Sequence, residues 1–270
     1  MQTEGNPVTA RALTILCAAF LIAGPAAAQE AQQVIRFEPL GPTGIGLEGD
    51  DSERSHVYHR SADNRRVSAG VWEAAPHTSE AQARYSEFMY LLDGSVTLID
   101  AAGREEMFGA GDALLVPRGT RYTWKQTERL RKYWVIFDVG SEASVDPTCA
   151  QPTFIRLDSN GPVGTGLTSR GRTMSHRYYA GQDGSSVGVW ETAPHTASEF
   201  HESEYSELMV FLSGTVTLAQ PHGDEQTFHA GDVALVPRGA FYRWKSGTAR
   251  KFWVIFDSGS TTPCGGVDNT

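Results

Sequence analysis

The chain has 270 residues, 40% of them hydrophobic and 20% charged, an ordinary globular composition with apolar material for one large core or two small ones. Its formal net charge is −9 and basic clusters are lacking, which argues against nucleic acid or an anionic lipid surface as partner.

Residues 1–28 read as a cleavable secretory signal. Arg11 precedes an apolar run from Ala12 to Gly24, Pro25 breaks it, and Ala26-Ala27-Ala28 supplies small residues before Gln29. The run is too short for a stable membrane span, and no later segment is long and apolar enough. The mature chain is therefore expected to be exported, to a periplasm or beyond, without a membrane span. Cleavage removes one acid (Glu4) and one base (Arg11), so 22 bases against 31 acids still give −9.

Beyond Gln29 the chain repeats itself. Residues 33–140 align with 153–259: "VIRFEPLGPTGIGL" answers "FIRLDSNGPVGTGL", "YSEFMYLLDGSVTL" answers "YSELMVFLSGTVTL", and "RKYWVIFD" answers "RKFWVIFD". Between Met107–Lys125 and Thr227–Lys245, 12 of 19 positions are identical, which marks an internal duplication. The expected organisation is a domain over 29–140, a linker over 141–152, a second domain over 153–259 and a tail over 260–270. Within each copy, short β-rich runs reach a turn pair (Asp93-Gly94, Ser213-Gly214) and return as "SVTLI" or "TVTLA". "ALLVP" and "VALVP" read as buried strands, and "YWVIFD" and "FWVIFD" are apolar on both alternating faces, as in a strand covered on both sides. No long amphipathic helix is visible, so the fold class is all-β, a sandwich or barrel in each copy. Export permits disulfides, and Cys149 and Cys264 both lie in Pro/Ser/Thr-rich loop text. They form either a Cys149–Cys264 bridge or two free thiols.

A Glu seven positions before a Gly (Glu87 to Gly94, Glu207 to Gly214), followed by G-D-x3-V-P-x-G, resembles the two-motif pattern of the cupins. The resemblance covers both repeats and is nearest to the branch of ureidoglycine aminohydrolases and the ethanolamine-utilisation Q protein. It implies two tandem jelly-roll barrels with ligands inside the barrel mouth, and pairing into a homodimer through outer sheet faces. Metal-binding cupins carry H-x-H, three or four residues and Glu, then a His three after P-x-G. In the second repeat His201 and Glu207 match this pattern, while Ser203 and Tyr242 replace the other two histidines. In the first repeat only Glu87 matches, beside Ala81, Ala83 and Tyr122. The resemblance thus leaves either no cofactor or a single divalent metal (Mn, Fe, Ni or Zn) in the second barrel, with His201 and Glu207 as its ligands.

Alternation places His201, Tyr205 and Glu207 on one strand face and Tyr242 and Trp244 on another. Tyr85, Glu87, Tyr122 and Trp124 are their first-repeat counterparts. Facing inward, these make a carboxylate flanked by phenols and an indole. Such a set can grip an amine, amide or hydroxyl group, pack a cationic ligand, or move protons through Glu207 and Tyr242 as catalytic groups. Filling of the barrel by its own side chains is the structural alternative. His77 and His195, in "PHT", read as loop-bonding residues. Arg118 and Arg238, in "PRG", read as anion clamps at the mouth or as partners of local acids. Asp112 and Asp232, in "AGD", read as turn formers. Three functions stay open: a small-molecule-binding double cupin without tightly bound metal, a metal-dependent C–N hydrolase, lyase or isomerase active in the second barrel alone, and a structural protein with closed barrels.

Overall fold

The computed structural model describes residues 32–61, 67–139, 153–181 and 183–258. The signal segment 1–28, the linker 141–152, the tail 260–270, and Cys149 and Cys264 lie outside the described residues.

In the first repeat the strands are β1 (Ile35–Phe37), β2 (Glu48–Gly49), β3 (Glu53–Arg60), β4 (Ser68–Ala74), β5 (His77–Gln82), β6 (Ser86–Asp93), β7 (Ser95–Asp100), β8 (Glu105–Gly109), β9 (Ala113–Val116), β10 (Arg121–Gln126) and β11 (Leu130–Phe137). The second repeat contributes β12 (Ile155–Leu157), β13 (Thr168–Arg170), β14 (Thr173–Ala180), β15 (Ser186–Thr192), β16 (His195–Thr196), β17 (His201–Glu202), β18 (Ser206–Ser213), β19 (Thr215–Ala219), β20 (Glu225–His229), β21 (Val233–Val236), β22 (Phe241–Ser246) and β23 (Ala249–Phe256). The all-β expectation holds, with no helix among the described residues.

The first barrel closes a seven-stranded sheet, β12-β9-β6-β11-β4-β3-β2, over a four-stranded one, β5-β10-β7-β8. The second closes β1-β21-β18-β23-β15-β14-β13 over β16-β22-β19-β20, with β17 also on β22. Each barrel has its own apolar filling, Met89, Leu98, Phe108 and Leu114 in one and Met209, Phe211, Leu218 and Phe228 in the other. A third core lies between the seven-stranded sheets. There Phe88, Val135 and Phe137 pack with Leu208, Val254 and Phe256. This explains the doubly apolar "WVIF" strands. One face fills a barrel and the other glues the barrels together.

The edge strands are exchanged between repeats. β1 pairs with β21 of the second repeat (Ile35↔Leu235), and β12 pairs with β9 of the first (Ile155↔Leu115). An arginine pins each crossing. Arg36 bonds Asp232 at 3.0 Å and lies 4.0 Å over the Phe228 ring. Arg156 bonds Asp112 at 2.9 Å and Glu106 at 2.7 Å, and lies 4.1 Å over Phe108. The two aspartates also hold their turns as expected, each accepting a backbone N–H at 2.8 Å, from Gly109 and His229. The hairpin glycines are obligatory: Gly94 (φ 75°) and Gly214 (φ 81°) have left-handed backbones, and a Cβ there would sit 2.2 and 2.0 Å from carbonyl oxygens of Arg129 and Thr248.

The barrels differ in one wall. In the first, all six residues of β5 pair with β10, from His77↔Gln126 to Gln82↔Arg121. In the second the corresponding wall is broken into β16 and β17, which pair with β22 only at 195–196 and 201–202. The cause is legible. Between "PHT" and "YSE" the first repeat has residues 79–84, whereas the second has 197–204, two more. An insertion of two preserves side-chain alternation while leaving the extra residues off the sheet.

Candidate ligand site in the second barrel

Strand β18 turns Glu207 into the barrel, where the residue is 8% exposed. From the neighbouring strand β23, Lys251 reaches in and donates from Nζ to Glu207 Oε1 at 2.6 Å. The ammonium also lies 5.0 Å from the ring centroids of both Trp190 and Trp244. These indoles are fixed edge-to-face at 5.7 Å, and the Trp244 Nε1–H donates to Ser246 Oγ at 2.9 Å. An ion pair this far from water is tolerable because each charge is matched, and the indole faces add to the stabilisation of the ammonium. Trp253 fits beside them because Gly188 has no Cβ; one would stand 2.5 Å from its ring.

Above the pair lies a cavity of about 350 Å³, lined by Lys251, Glu207, Tyr205, Tyr242, His201 and His195 together with the indoles and Ile255. Burial first, then the nearby Glu207 charge, pushes the Tyr205 phenol up to about 12, and the same causes in the same order push Tyr242 upward as well. Both phenols are therefore hydrogen-bond donors at any physiological pH. His201, exposed at the rim, packs on Tyr242 with ring centroids 4.2 Å apart. His195 Nδ1 is 2.8 Å from an Arg172 guanidinium nitrogen. Arginine only donates, so Nδ1 accepts and the His195 proton resides on Nε2.

The first barrel repeats the pair without the room. Lys132 donates to Glu87 Oε1 at 2.7 Å, lies 4.9 Å from the centroids of Trp72 and Trp124, and contacts Met89 Sδ at 2.9 Å. His77 stacks on Trp124 at 6.3 Å, and Trp72 meets that indole edge-on at 6.3 Å. The cavity that remains measures about 150 Å³ and is bounded by Tyr85, Glu87, Tyr122, Val116 and the 81–84 segment. Lys132 does not line it. Burial, then the Glu87 charge, raises both Tyr85 and Tyr122 phenols.

Of the residues singled out from the sequence, His201, Tyr205, Glu207, Tyr242 and Trp244 converge on one cavity, and Tyr85, Glu87 and Tyr122 on the smaller one. Trp124 is a correction: it is 6% exposed, packed between His77 and Trp72, and does not line the first-barrel cavity. His195 is another, because it lines the second cavity rather than serving only its loop, whereas His77 does bond a loop carbonyl, Ala75 O, at 3.1 Å. Arg118 and Arg238 stay off the cavities. Arg118 reaches Asp138 at 3.3 Å, and Arg238 donates to Asp257 O at 3.3 Å. Ser86 and Ser206 face away from the neighbouring glutamates and accept the backbone N–H of Arg118 and Arg238, each at 3.0 Å.

Glu207 is not the lone carboxylate the sequence pattern suggested, and two groups went unrecognised: Lys132/Lys251 and Trp72/Trp190. The signal was a lysine beside a strand that is apolar on both faces, present in both copies. It cannot reach solvent there without leaving a buried wall.

This pairing also bears on whether His201 and Glu207 suit a metal. Among the described residues no three His, Cys, Asp or Glu side chains converge. Of the expected ligands, His201 packs on Tyr242 and Glu207 is held by an ammonium, which has no lone pair to give and a charge that a metal would have to displace. His201 and Glu207 do not fit a divalent metal in this arrangement.

Comparison with known proteins agrees with the architecture. Among curated proteins none matches the chain significantly. A crystal structure of a DUF861-family protein of unknown function from Pseudomonas syringae is similar over 83% of this chain and 99% of its own, with a TM-score of 0.67 and 20% identity. A cupin 2 conserved barrel domain protein from Leptotrichia buccalis is similar over 84% of this chain and 98% of its own, with a TM-score of 0.58 and 11% identity. The EutQ-like cupin domain model matches twice, over residues 61–134 and 180–251, one match in each barrel. With two cupin barrels built from its two repeats, the chain belongs to the EutQ-like cupin family.

Proposed function

We propose that this protein binds a small polar molecule in its second barrel without a divalent metal, and that it does so after export. The contrast between the two cavities carries the reading. In the first barrel only the glutamate of the lysine–glutamate pair borders a cavity, of about 150 Å³, whereas in the second both partners face about 350 Å³. A volume of that size lies within the range of small-molecule pockets, ~300–1,000 Å³. The lining follows the usual rule of apolar and aromatic walls with a few convergent polar groups. The first barrel serves as the structural twin that braces the shared core.

The reading is tested on purified, untagged, mature protein by fluorescence titration, since Trp190, Trp244 and Trp253 report on the cavity, alongside metal analysis. Saturable quenching by a small organic acid, amide or amine, unchanged by chelator, supports it. Quenching that requires a stoichiometric metal, or none with any compound, overturns it. For export, a mature N-terminus at Gln29 in the extracytoplasmic fraction is the expected result, and a full-length chain in the cytosol contradicts it.

A further inference from the structure

Resting on that binding reading, we propose that Lys251 is the resident cation of the second barrel, receiving the ligand where a divalent metal would otherwise do so, and that the ligand is a small organic carboxylate.

The donor inventory points to an acceptor-rich guest. Lys251, Tyr205, Tyr242 and His195 each bring a donor to the cavity lining, while its side-chain carboxylate, Glu207, is already engaged by Lys251. A cationic guest is disfavoured by the same geometry. The faces of Trp190 and Trp244, which would otherwise hold a cation, are covered by the protein's own ammonium. Because Glu207 is paired with Lys251, an entering carboxylate meets the phenol hydroxyls and the Arg172–His195 rim.

The first barrel shows what Lys251 has to spare. Lys132 spends a donor on Glu87 and presses another against Met89 Sδ, between two indoles and away from the cavity. Among the described residues Lys251 has no such sulfur contact, and it lines the open space. A ligand oxygen would take the place of one of its two indole contacts, both at 5.0 Å. The choice of lysine is also specific. Of 23 basic residues only Lys125, Lys132, Lys245 and Lys251 are lysines, and Lys125 and Lys245 are exposed. A compact ammonium, with three rotatable donors, can hold Glu207 and a ligand oxygen at once.

The test compares three probes of one shape, benzoate, benzamide and benzylammonium, by fluorescence titration and calorimetry on the mature protein. Benzoate is expected to bind tightest and benzylammonium weakest. Lys251→Met alone would strand Glu207, so the diagnostic variant is Lys251→Met/Glu207→Leu, which removes both charges together. It should weaken benzoate by about 10- to 100-fold, the worth of one hydrogen bond to a charged group, and leave benzamide nearly unchanged. Lys245→Met, which removes an exposed charge, should change neither. Benzylammonium or benzamide binding as well as benzoate, or benzoate indifferent to the double variant, overturns the carboxylate assignment and leaves the binding reading standing. If none of the three perturbs the tryptophans, the carboxylate assignment falls, and the binding reading falls with it only when no other small acid, amide or amine quenches them either.

Discussion

The two barrels share a carboxylate, an ammonium, two indoles and two phenols, yet the ammonium faces open space only in the second. A wall of six paired residues runs unbroken along the first barrel, whereas its counterpart is interrupted by four residues between β16 and β17. Both copies keep the charge pair, and only the second copy's lysine lines a cavity. A duplicated fold can therefore divide labour without altering its central residues, because access depends on strand pairing at the rim and the charge pair on side chains at the floor.

The severest way to break the comparison is to separate the repeats. Because β1 and β12 each complete the other repeat's sheet and the core between the barrels draws on both, residues 29–140 or 153–270 expressed alone should lack a cooperative thermal transition. Co-expression should recover a complex that unfolds in one step by calorimetry. A sharply melting single half would show that the exchange is dispensable.

Next in size are the buried pairs. Lys132→Met and Lys251→Met each strand a carboxylate and should cost about 3–5 kcal/mol in denaturant unfolding. The loss should be greater at Lys132, because the cavity beside Glu87 is about 150 Å³ against about 350 Å³ beside Glu207. Exchanging both partners for apolar residues should recover most of it in each barrel. Equal losses at both sites would mean that water reaches Glu87 as readily as Glu207.

A third contrast lies on the outer strands. Glu73 is 1% exposed and bonded by Arg54, Arg129 and Arg131, while its counterpart Glu191 has Arg250. Burial pushes the Glu73 carboxyl up, but the hydrogen bonds from Arg54 and Arg131 outweigh it and bring it from 4.5 to about 2. A carboxylate depressed in the folded state contributes stability that is complete above about pH 4.5 and is lost as pH falls towards 2, about 3 kcal/mol in all. Acid titration of wild type against Glu73→Gln should show the variant losing less stability across that window. Parallel curves would remove Glu73 as the acid-sensitive group.

The smallest expected effect on stability has the sharpest functional reading. Deleting Ser198 and Glu199 gives the second wall the length of the first, at a stability cost of about 1 kcal/mol or less for an exposed site. If access is what distinguishes the barrels, probe binding should disappear while the melting temperature hardly moves. Retained affinity would place the entrance elsewhere.

The amino-acid sequence alone established the duplication, the all-β class, the turns at Gly94 and Gly214, and the strand faces shared by Tyr205 with Glu207 and by Tyr242 with Trp244. These follow from period-two alternation and turn chemistry, which are local and repeat between the copies. Tertiary structure decided the rest. Lys251 meets Glu207 across 44 residues, and Ile35 pairs with Leu235 across the repeats. No periodicity within a strand specifies its neighbour, so the strand exchange, the indoles that meet the lysine and the exclusion of Trp124 from the cavity had no local signature. The two-residue insertion was visible as text, but its consequence was not. It matters only because β22 needs a continuous partner to close the wall, and that partner is supplied from a distant part of the chain.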